Sequence, residues 1–348
     1  MRRRTPPPYN RVVLRARFLK WLTLGAVAVG LILLVAGPKC AQADSVVYSV
    51  GSSPIVNIKV EGWLAIKAWD RQAVRVDSDG PTEVRAFNGR AVAAAVQKEI
   101  QVITPAVRTR RGLITLPAES FVVSTLGNQL HDGIAVRGAS GHTTVYVPQS
   151  TALVAARAGR ATINIEGYHG GTFFLRVHRG AVRMQNMGGE GFVQVVNGTI
   201  VAEDSSFARL RARTADGNMF FERCHARQIE ASSALGSIVY DDGSFEAGLA
   251  RFESKFGRVA VGIGTGGALV NAHSGAGNIR TNFERFAKMD VRQNDAQGTI
   301  GGGGPMVSIS AGGAVLLYDH SIRSRQGLDD GWNQRIPRAR KHRVRTVP

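Results

Sequence analysis

Seven glycines divide the middle of the chain at nearly equal intervals: Gly159, Gly180, Gly198, Gly217, Gly236, Gly257 and Gly277, spaced 21, 18, 19, 19, 21 and 20 residues apart. Each precedes a strand-like run, as in AGRATINI, NGTIVAE and LGSIVYD. An internal repeat of about twenty residues narrows the choice of fold more than any bulk property of the chain. Read alone, VVNGTIVAED (Val195 to Asp204) is a hairpin, because Asn-Gly between β-branched runs favours a two-residue turn. Read as one copy of seven, it is a bend between two strands of a repeating unit.

The columns around the glycines carry the argument. Two residues after each stand Ala161, Val182, Ile200, Met219, Ile238, Val259 and Ile279; four after stand Ile163, Met184, Ala202, Phe221, Tyr240, Val261 and Thr281. Five before stand Val154, Leu175, Val193, Ala212, Ala231, Phe252 and Ala272; three before stand Ala156, Val177, Val195, Thr214, Ser233, Ser254 and Ser274. Polar residues fill the positions between, which is the period-2 alternation of strands with one buried face. One such unit cannot bury its apolar face, but stacked units can. The expected fold is all-β: a β-solenoid or β-roll of roughly 20-residue coils with glycine corners, where glycine accepts φ > 0. An antiparallel barrel or sandwich would not need the same columns apolar at the same offsets.

Four regions follow. Residues 1–43 read as a signal peptide or N-terminal membrane anchor: a basic start, the uncharged WLTLGAVAVGLILLVAGP from Trp21 to Pro38, then AQA before Asp44. Small residues at Ala41 and Ala43 fit a cleavage site, and 18 uncharged residues is also the lower limit for a membrane span. Either outcome places residue 44 onward outside the cytoplasm, in a periplasmic, cell-envelope or secreted location. Residues 44–150 read as an N-terminal β region continuous with the solenoid, and residues 151–320 as the repeats. Beyond Gly277 the repeat fades, so AQGTIGG and AGGAVLLYD read as final degenerate coils that cap an open edge. RTNFERFAKM reads as a loop or short helix across that end. Residues 321–348 read as a basic, disordered tail.

The stretch PIVNIKVEGWLAIKAWDRQAVRVD, residues 54–77, has Val56, Ile58, Val60, Gly62, Leu64 and Ile66 alternating, then Trp69-Asp70 and Val74, Val76. With the Gly-x-Φ-x-Φ coils after it, this resembles the bacterial putative-adhesin family over about residues 50–318. The resemblance implies an exported β-solenoid of the envelope, without a catalytic motif.

The net charge of +18 is concentrated at the ends: residues 1–43 carry eight basic residues and no acid, and residues 333–348 carry six and no acid. The remainder is only mildly basic. The tail's Arg335, Arg338, Arg340, Lys341, Arg343 and Arg345 suit an anionic lipid or an acidic envelope polymer, with salt-sensitive affinity. Nucleic acid is not expected as a partner of an exported protein. Membrane association is open through residues 21–38.

Catalytic motifs are sparse. GIGTGG at Gly262 fits G-x-G-x-x-G, but the glycine-broken ALVNAHSGAGN follows where a phosphate-binding helix is required. GGGGP at Gly301 lacks the alternating Asp of a calcium-binding coil. The acidic candidates are Asp241 and Asp242, with Glu203 and Asp204 one to two coils earlier; two carboxylates could act as acid and base on a polysaccharide. All four are expected just after strands, as solvated turn residues. His169, His178, His225 and His273 share no column, so no metal site is expected, and no cofactor either. Cys224 in MFFERCHA reads as a small buried hydrophobe. The leading reading is a non-catalytic, envelope-associated protein presenting a binding surface. The alternatives are a parallel β-helix enzyme acting on polysaccharide and a membrane-anchored structural or stress-related envelope protein.

Overall fold

The β-branched and aromatic alternation of the sequence becomes strand throughout. The computed structural model describes residues 44–88, 106–109, 112–115, 132–138, 140–246, 248–264, 266–281 and 287–319, and among these every regular element is a strand. The N-terminal segment with Trp21–Pro38, all of GRAVAAAVQKEIQV and the basic tail lie outside the described residues. Twenty-two strands form one sheet, and Ala106–Thr109 with Gly112–Thr115 forms a separate antiparallel pair.

Each repeat contributes two strand segments, and like segments pair in parallel with the next repeat. Leu153–Glu166 lies in register with Thr172–Gln185, so that Ala156 faces Leu175 and Ile163 faces Val182. Thr172–Gln185 then pairs with Gly188–Glu203 through Leu175↔Val193 and Gly180↔Gly198. Asn197-Gly198 is therefore inside a long strand with parallel neighbours, not the turn of a hairpin. Farther on, the leading segments continue as Ser206–Asp216, His225–Leu235 and Leu249–Ser254. The trailing ones continue as Met219–Glu222, Ile238–Phe245 and Val259–Ile263. Because Gly188–Glu203 pairs with both sets and Ser244 pairs with His225, five of these strands close into a parallel ring.

The leading and trailing rows face one core. Leu175, Val193, Ala212, Ala231 and Phe252 of the leading row belong to the same buried cluster as Val182, Ile200, Met219, Ile238 and Val259 of the trailing row. Between one trailing segment and the next leading one, Tyr168, Met187, Ser205 and Cys224 form a third buried column. Their backbones link from repeat to repeat, as Gly188 N–H to Tyr168 O at 2.8 Å and His225 N–H to Ser205 O at 2.8 Å. Just before each stands a residue with positive φ, Gly167 (71°), Asn186 (51°), Asp204 (49°) and Arg223 (51°), and Asp242 (50°) stands likewise before Gly243.

Three sequence expectations need correction. The first repeat is in register through Ala161, which pairs with Gly180, and not through Gly159. The residues that align with the later columns are therefore Ala156, Ile163 and Ile165, two positions later than the spacing predicts, although Val154 and Ala161 are buried in the same core. A slip of two keeps every side chain on its own face, so alternation alone cannot detect it. Gly159 instead donates its N–H to Glu61 Oε1 at 2.8 Å.

Second, the segment with AGGAVLLYD is not an end coil. Met306–Ala311 and Val315–Asp319 lie between the strands of residues 249–263 and those of residues 268–281, in parallel register with both. Third, AQGTIGG does not form a coil in this direction. Asp295–Ile300 pairs antiparallel with Ala268–Ser274 on one side and with Ala287–Val291 on the other. The ends of RTNFERFAKM fall within the strands Ile279–Thr281 and Ala287–Val291, and residues 282–286 lie outside the described residues.

The N-terminal end is also out of sequence order. Ile55–Lys59 and Gly62–Trp69 pair in parallel with Leu153–Glu166. Asp132–Gly138 and His142–Pro148 stack outside them. Antiparallel strands Thr82–Asn88, Ala73–Ser78 and Asp44–Ser49 follow at that edge. Antiparallel strands thus border the parallel stack at both ends, which covers edges that could otherwise pair with another chain.

Candidate functional site

Outward residues of a parallel stack line up from strand to strand at about 4.8 Å intervals. On the trailing row this places three ladders side by side. The first runs from Trp63 through Thr162, Ala181 and Thr199; the second has Ala65, Asn164, Arg183, Val201 and Phe220; the third has Lys67, Glu166, Gln185, Glu203, Glu222 and Asp241. A groove of about 450 Å³ runs across them. Small Ala181 and Thr199 sit low between the larger Trp63 and Phe220, and that difference in side-chain size makes the hollow. Asn164, Arg183, Gln185, Glu203 and Glu222 supply hydrogen-bonding groups along one side. Trp63 also packs against the His142 ring at 5.5 Å.

The four acidic residues singled out from sequence meet different fates. Glu203 ends its strand and lines the groove. Asp204, the next residue, is in the left-handed region and holds Arg223 through Oδ1 at 2.5 Å and Oδ2 at 3.1 Å. That guanidinium keeps the Asp204 carboxyl below the usual carboxylate range. Asp241 and Asp242 lie inside Ile238–Phe245, not after it, which corrects the expectation of turn residues. Asp241 accepts the Tyr318 hydroxyl at 2.8 Å. Glu203 and Asp241 are two strands apart, about 10 Å between backbones. Between them stands Glu222, in register with both and bonded to Arg223. Sequence reading passed over Glu222 and Arg223. Their signal was the recurrence of Asn186, Asp204, Arg223 and Asp242 at intervals of 18 to 19, six residues after the glycine of each repeat.

Other sequence candidates resolve as follows. Gly262 is within Val259–Ile263, and strand Ala268–Ser274 follows GIGTGG, so no helix presents its N-terminus to a phosphate there. Among the described residues no group of three or more His, Cys, Asp or Glu side chains gathers at metal-ligand distance. His225 bonds Ser244 Oγ at 2.6 Å and His273 bonds Asp295 Oδ1 at 2.7 Å, in different places. Cys224 is fully buried, its thiol 3.5 Å from the carbonyls of Ala202 and Glu222, and burial pushes the thiol up to about 12. Arg335, Arg338, Arg340, Lys341, Arg343 and Arg345 are outside the described residues. Among the described residues no helix is long and apolar enough to cross a membrane.

Fold and groove together define an all-β protein with parallel-stacked repeats and, on one row, a hollow lined by apolar side chains with polar groups among them. No family model matches the chain, and no curated protein matches it. A crystal structure from Clostridium sporogenes, of a putative cell adhesion protein, aligns with 80% of this chain and 100% of its own at 9% identity and a TM-score of 0.17. A likeness at that score carries no argument. The family resemblance stands on the alternation of residues 54–77 and the glycine repeat alone.

Proposed function

We propose that this chain is an exported, envelope-associated β-solenoid of the adhesin type, without catalysis of its own, which binds a carbohydrate chain in the groove of its trailing row. The supporting observation is the arrangement of Trp63 and Phe220 around the small residues Ala181 and Thr199, with amide and charged groups alongside. Aromatic faces with a few placed polar groups are what an amphipathic sugar ring requires of a shallow site. The solenoid reading rests on the parallel registers of 18 to 21 residues and on the stacked glycines. The leader-like residues 1–43 support export. Two measurements test it: fractionation of native cells with N-terminal sequencing, and binding of the full chain to an array of envelope glycans before and after Trp63→Ala. A cytoplasmic protein with an intact N-terminus, or glycan binding indifferent to Trp63→Ala, overturns it.

A second reading, an enzyme acting on polysaccharide, is favoured by one observation: Glu203 and Glu222 stand in register on neighbouring strands beside the groove. Adjacent strands bring two carboxyls to the separation at which a nucleophile and an acid can share one glycosidic bond. Against it, Glu222 is engaged by Arg223. Release of reducing ends from a bound glycan, abolished by Glu203→Gln, would replace the binding reading with this one.

A further inference from the structure

The outer face of the leading row carries a ladder of a different kind. Arg137 pairs in register with Lys59, Lys59 with Arg157, Arg157 with Arg176, and Arg176 with Gln194. Four basic residues therefore stand on four consecutive strands, within a line of about 15 Å at strand spacing. Three residues farther along the same two central strands, Arg160 pairs with Arg179, and both side chains are exposed. Like charges in adjacent ladder positions repel and are ordinarily avoided.

Arg157 is half-buried, with its guanidinium over the Phe174 ring at 5.8 Å, and nearby acids do not offset the other members of this strip. Glu61 directs its carboxylate to the backbone N–H groups of Gly159 and Arg160, at 2.8 and 2.5 Å. Glu83, opposite Arg137, is held by Arg85. Among the described residues no carboxylate lies within ion-pair distance of Lys59, Arg137, Arg160, Arg176 or Arg179. Elsewhere on the same row the basic residues are paired across strands: Arg209 with Glu190 at 2.6 Å and Arg211 with Glu230 at 3.1 Å. The contrast within one row locates the excess charge to the strands of residues 55–59, 132–138, 153–166 and 172–185.

We propose that the ladder Arg137–Lys59–Arg157–Arg176, with Arg160 and Arg179, is a docking strip for a linear anionic polysaccharide that lies across the strands. It rests on the reading of this protein as an exported binder and adds a second surface, on the opposite row from the groove. A single line of cations at regular spacing matches a polymer whose charges recur along its length. A membrane surface is a poorer match, since no large hydrophobic side chain is exposed on residues 55–59, 153–166 or 172–185 to insert beside the charges. Attraction of this kind is electrostatic and falls as salt rises.

The test uses the full-length chain and sodium polygalacturonate as the probe, titrated from low to physiological salt. Lys59→Gln/Arg176→Gln/Arg179→Gln is expected to weaken binding by roughly tenfold or more and to flatten the salt dependence by roughly one unit per charge removed. A charge-matched variant elsewhere, Arg251→Gln/Arg280→Gln/Arg292→Gln, is expected to bind within about twofold of the parent. The tail variant Arg338→Gln/Arg340→Gln/Arg343→Gln is expected to do the same. Equal melting temperatures establish that the strip variant is folded; Arg179→Glu, a single change at an exposed side chain, repeats the measurement if they differ. Unchanged binding in the strip variant overturns the proposal. So does loss of binding on tail neutralisation, or tighter binding to duplex DNA or to vesicles of anionic phospholipid than to the polymer. Trp63→Ala is expected to leave polymer binding intact, so failure of the strip and failure of the groove are read separately.

Discussion

The backbone carbonyl oxygen of Gly180 occupies the position that a β-carbon on Gly198 would take, and Gly198 has φ of +146°. The same relation links Gly198 to Gly217, Gly217 to Gly236 and Gly236 to Gly257. The obstacle is backbone, which cannot swing aside, so each glycine sets how closely the next repeat can stack. Gly198→Ala is expected to cost about 3 kcal/mol or more, from overlap plus an unfavourable φ. Gly159→Ala is the control. Its β-carbon would meet only the end of the flexible Glu61 side chain, and the expected cost is about 1 kcal/mol or less. Denaturant midpoints of the two variants check the contrast, and equal losses would refute it.

Cys224 predicts a pH dependence. Its thiol is held protonated in the folded state up to about 12, against an ordinary value of 9.0. The folded chain therefore binds this proton more tightly than the unfolded chain. The contribution is fully present below pH 9 and is lost as pH rises from about 9 to about 12, with a slope of about 1.4 kcal/mol per pH unit from this one group. Buried Tyr168 and Tyr240 are raised in the same direction by burial. Cys224→Ala is expected to make the alkaline stability curve shallower over that window. Native protein at pH 8 is expected to resist thiol alkylation by more than a hundredfold relative to unfolded chain, because the thiolate is the reactive form.

Tyr240 joins the core to the third buried column. Its ring packs on Phe245 and Phe252 at centroid distances of 4.7 and 5.4 Å. Its hydroxyl donates to Cys224 O at 2.6 Å and approaches Ser244 O at 3.1 Å. Tyr240→Phe keeps the packing and removes the hydroxyl's donation, while the Ser244 N–H still reaches Cys224 O at 3.1 Å. The expected loss is about 1 to 2 kcal/mol. Tyr240→Ala should lose considerably more, about 3 to 5 kcal/mol, by opening a cavity.

The pair Asp204–Arg223 is bidentate in geometry yet nearly half exposed on both sides. Solvent screening holds its worth to about 1 kcal/mol or less. Since the Asp204 carboxyl is lowered by Arg223, its contribution is present above the ordinary carboxylate range and is lost as pH falls below it. Arg223→Asn is expected to raise the Asp204 titration toward the ordinary value. It should cost little stability, because Asn tolerates the φ of +51° at this position. NMR titration of the Asp204 side chain follows the shift directly.

Much of the interior was legible in the sequence, and for a physical reason. A buried column must be apolar in every repeat, so Leu175, Val193, Ala212, Ala231 and Phe252 announced their common face, and all five are in the core. Register within the first repeat was not legible, because Ala161 takes a place that glycine takes later, and a slip of two residues leaves inside and outside unchanged. Stacking order was not legible either: alternation says which face a residue takes but not which strand lies beside it. The acidic candidates show the same limit. Glu203 and Asp241 were visible as carboxylates, whereas the placing of Glu222 between them, and the use of Asp204 to hold Arg223, depend on the cross-strand register.

Stacking order makes the final prediction. Phe252 pairs with Ile309, and Ile309 pairs with Ala272, so among the described residues the segment at residues 306–319 is the strand partner shared by residues 249–254 and residues 268–274. On the trailing row Val259 and Ile279 both pair with Val315. Tyr318 adds a hydrogen bond to Asp241, 77 residues away in sequence. A chain ending at residue 305 would leave two facing edges of unpaired backbone and expose the apolar residues that Ile309, Val315 and Leu317 cover. Open parallel edges of that length recruit other chains. Truncation after residue 305 is therefore expected to give oligomers or aggregate by size-exclusion chromatography with light scattering. Truncation after residue 319 keeps the inserted strands and is expected to elute as the full-length protein does. Because this segment closes non-local contacts last in the sequence, Ile309→Ala is expected to accelerate unfolding more than it slows refolding. A refolding rate reduced in proportion to the full loss of stability would place the insertion in the folding nucleus instead.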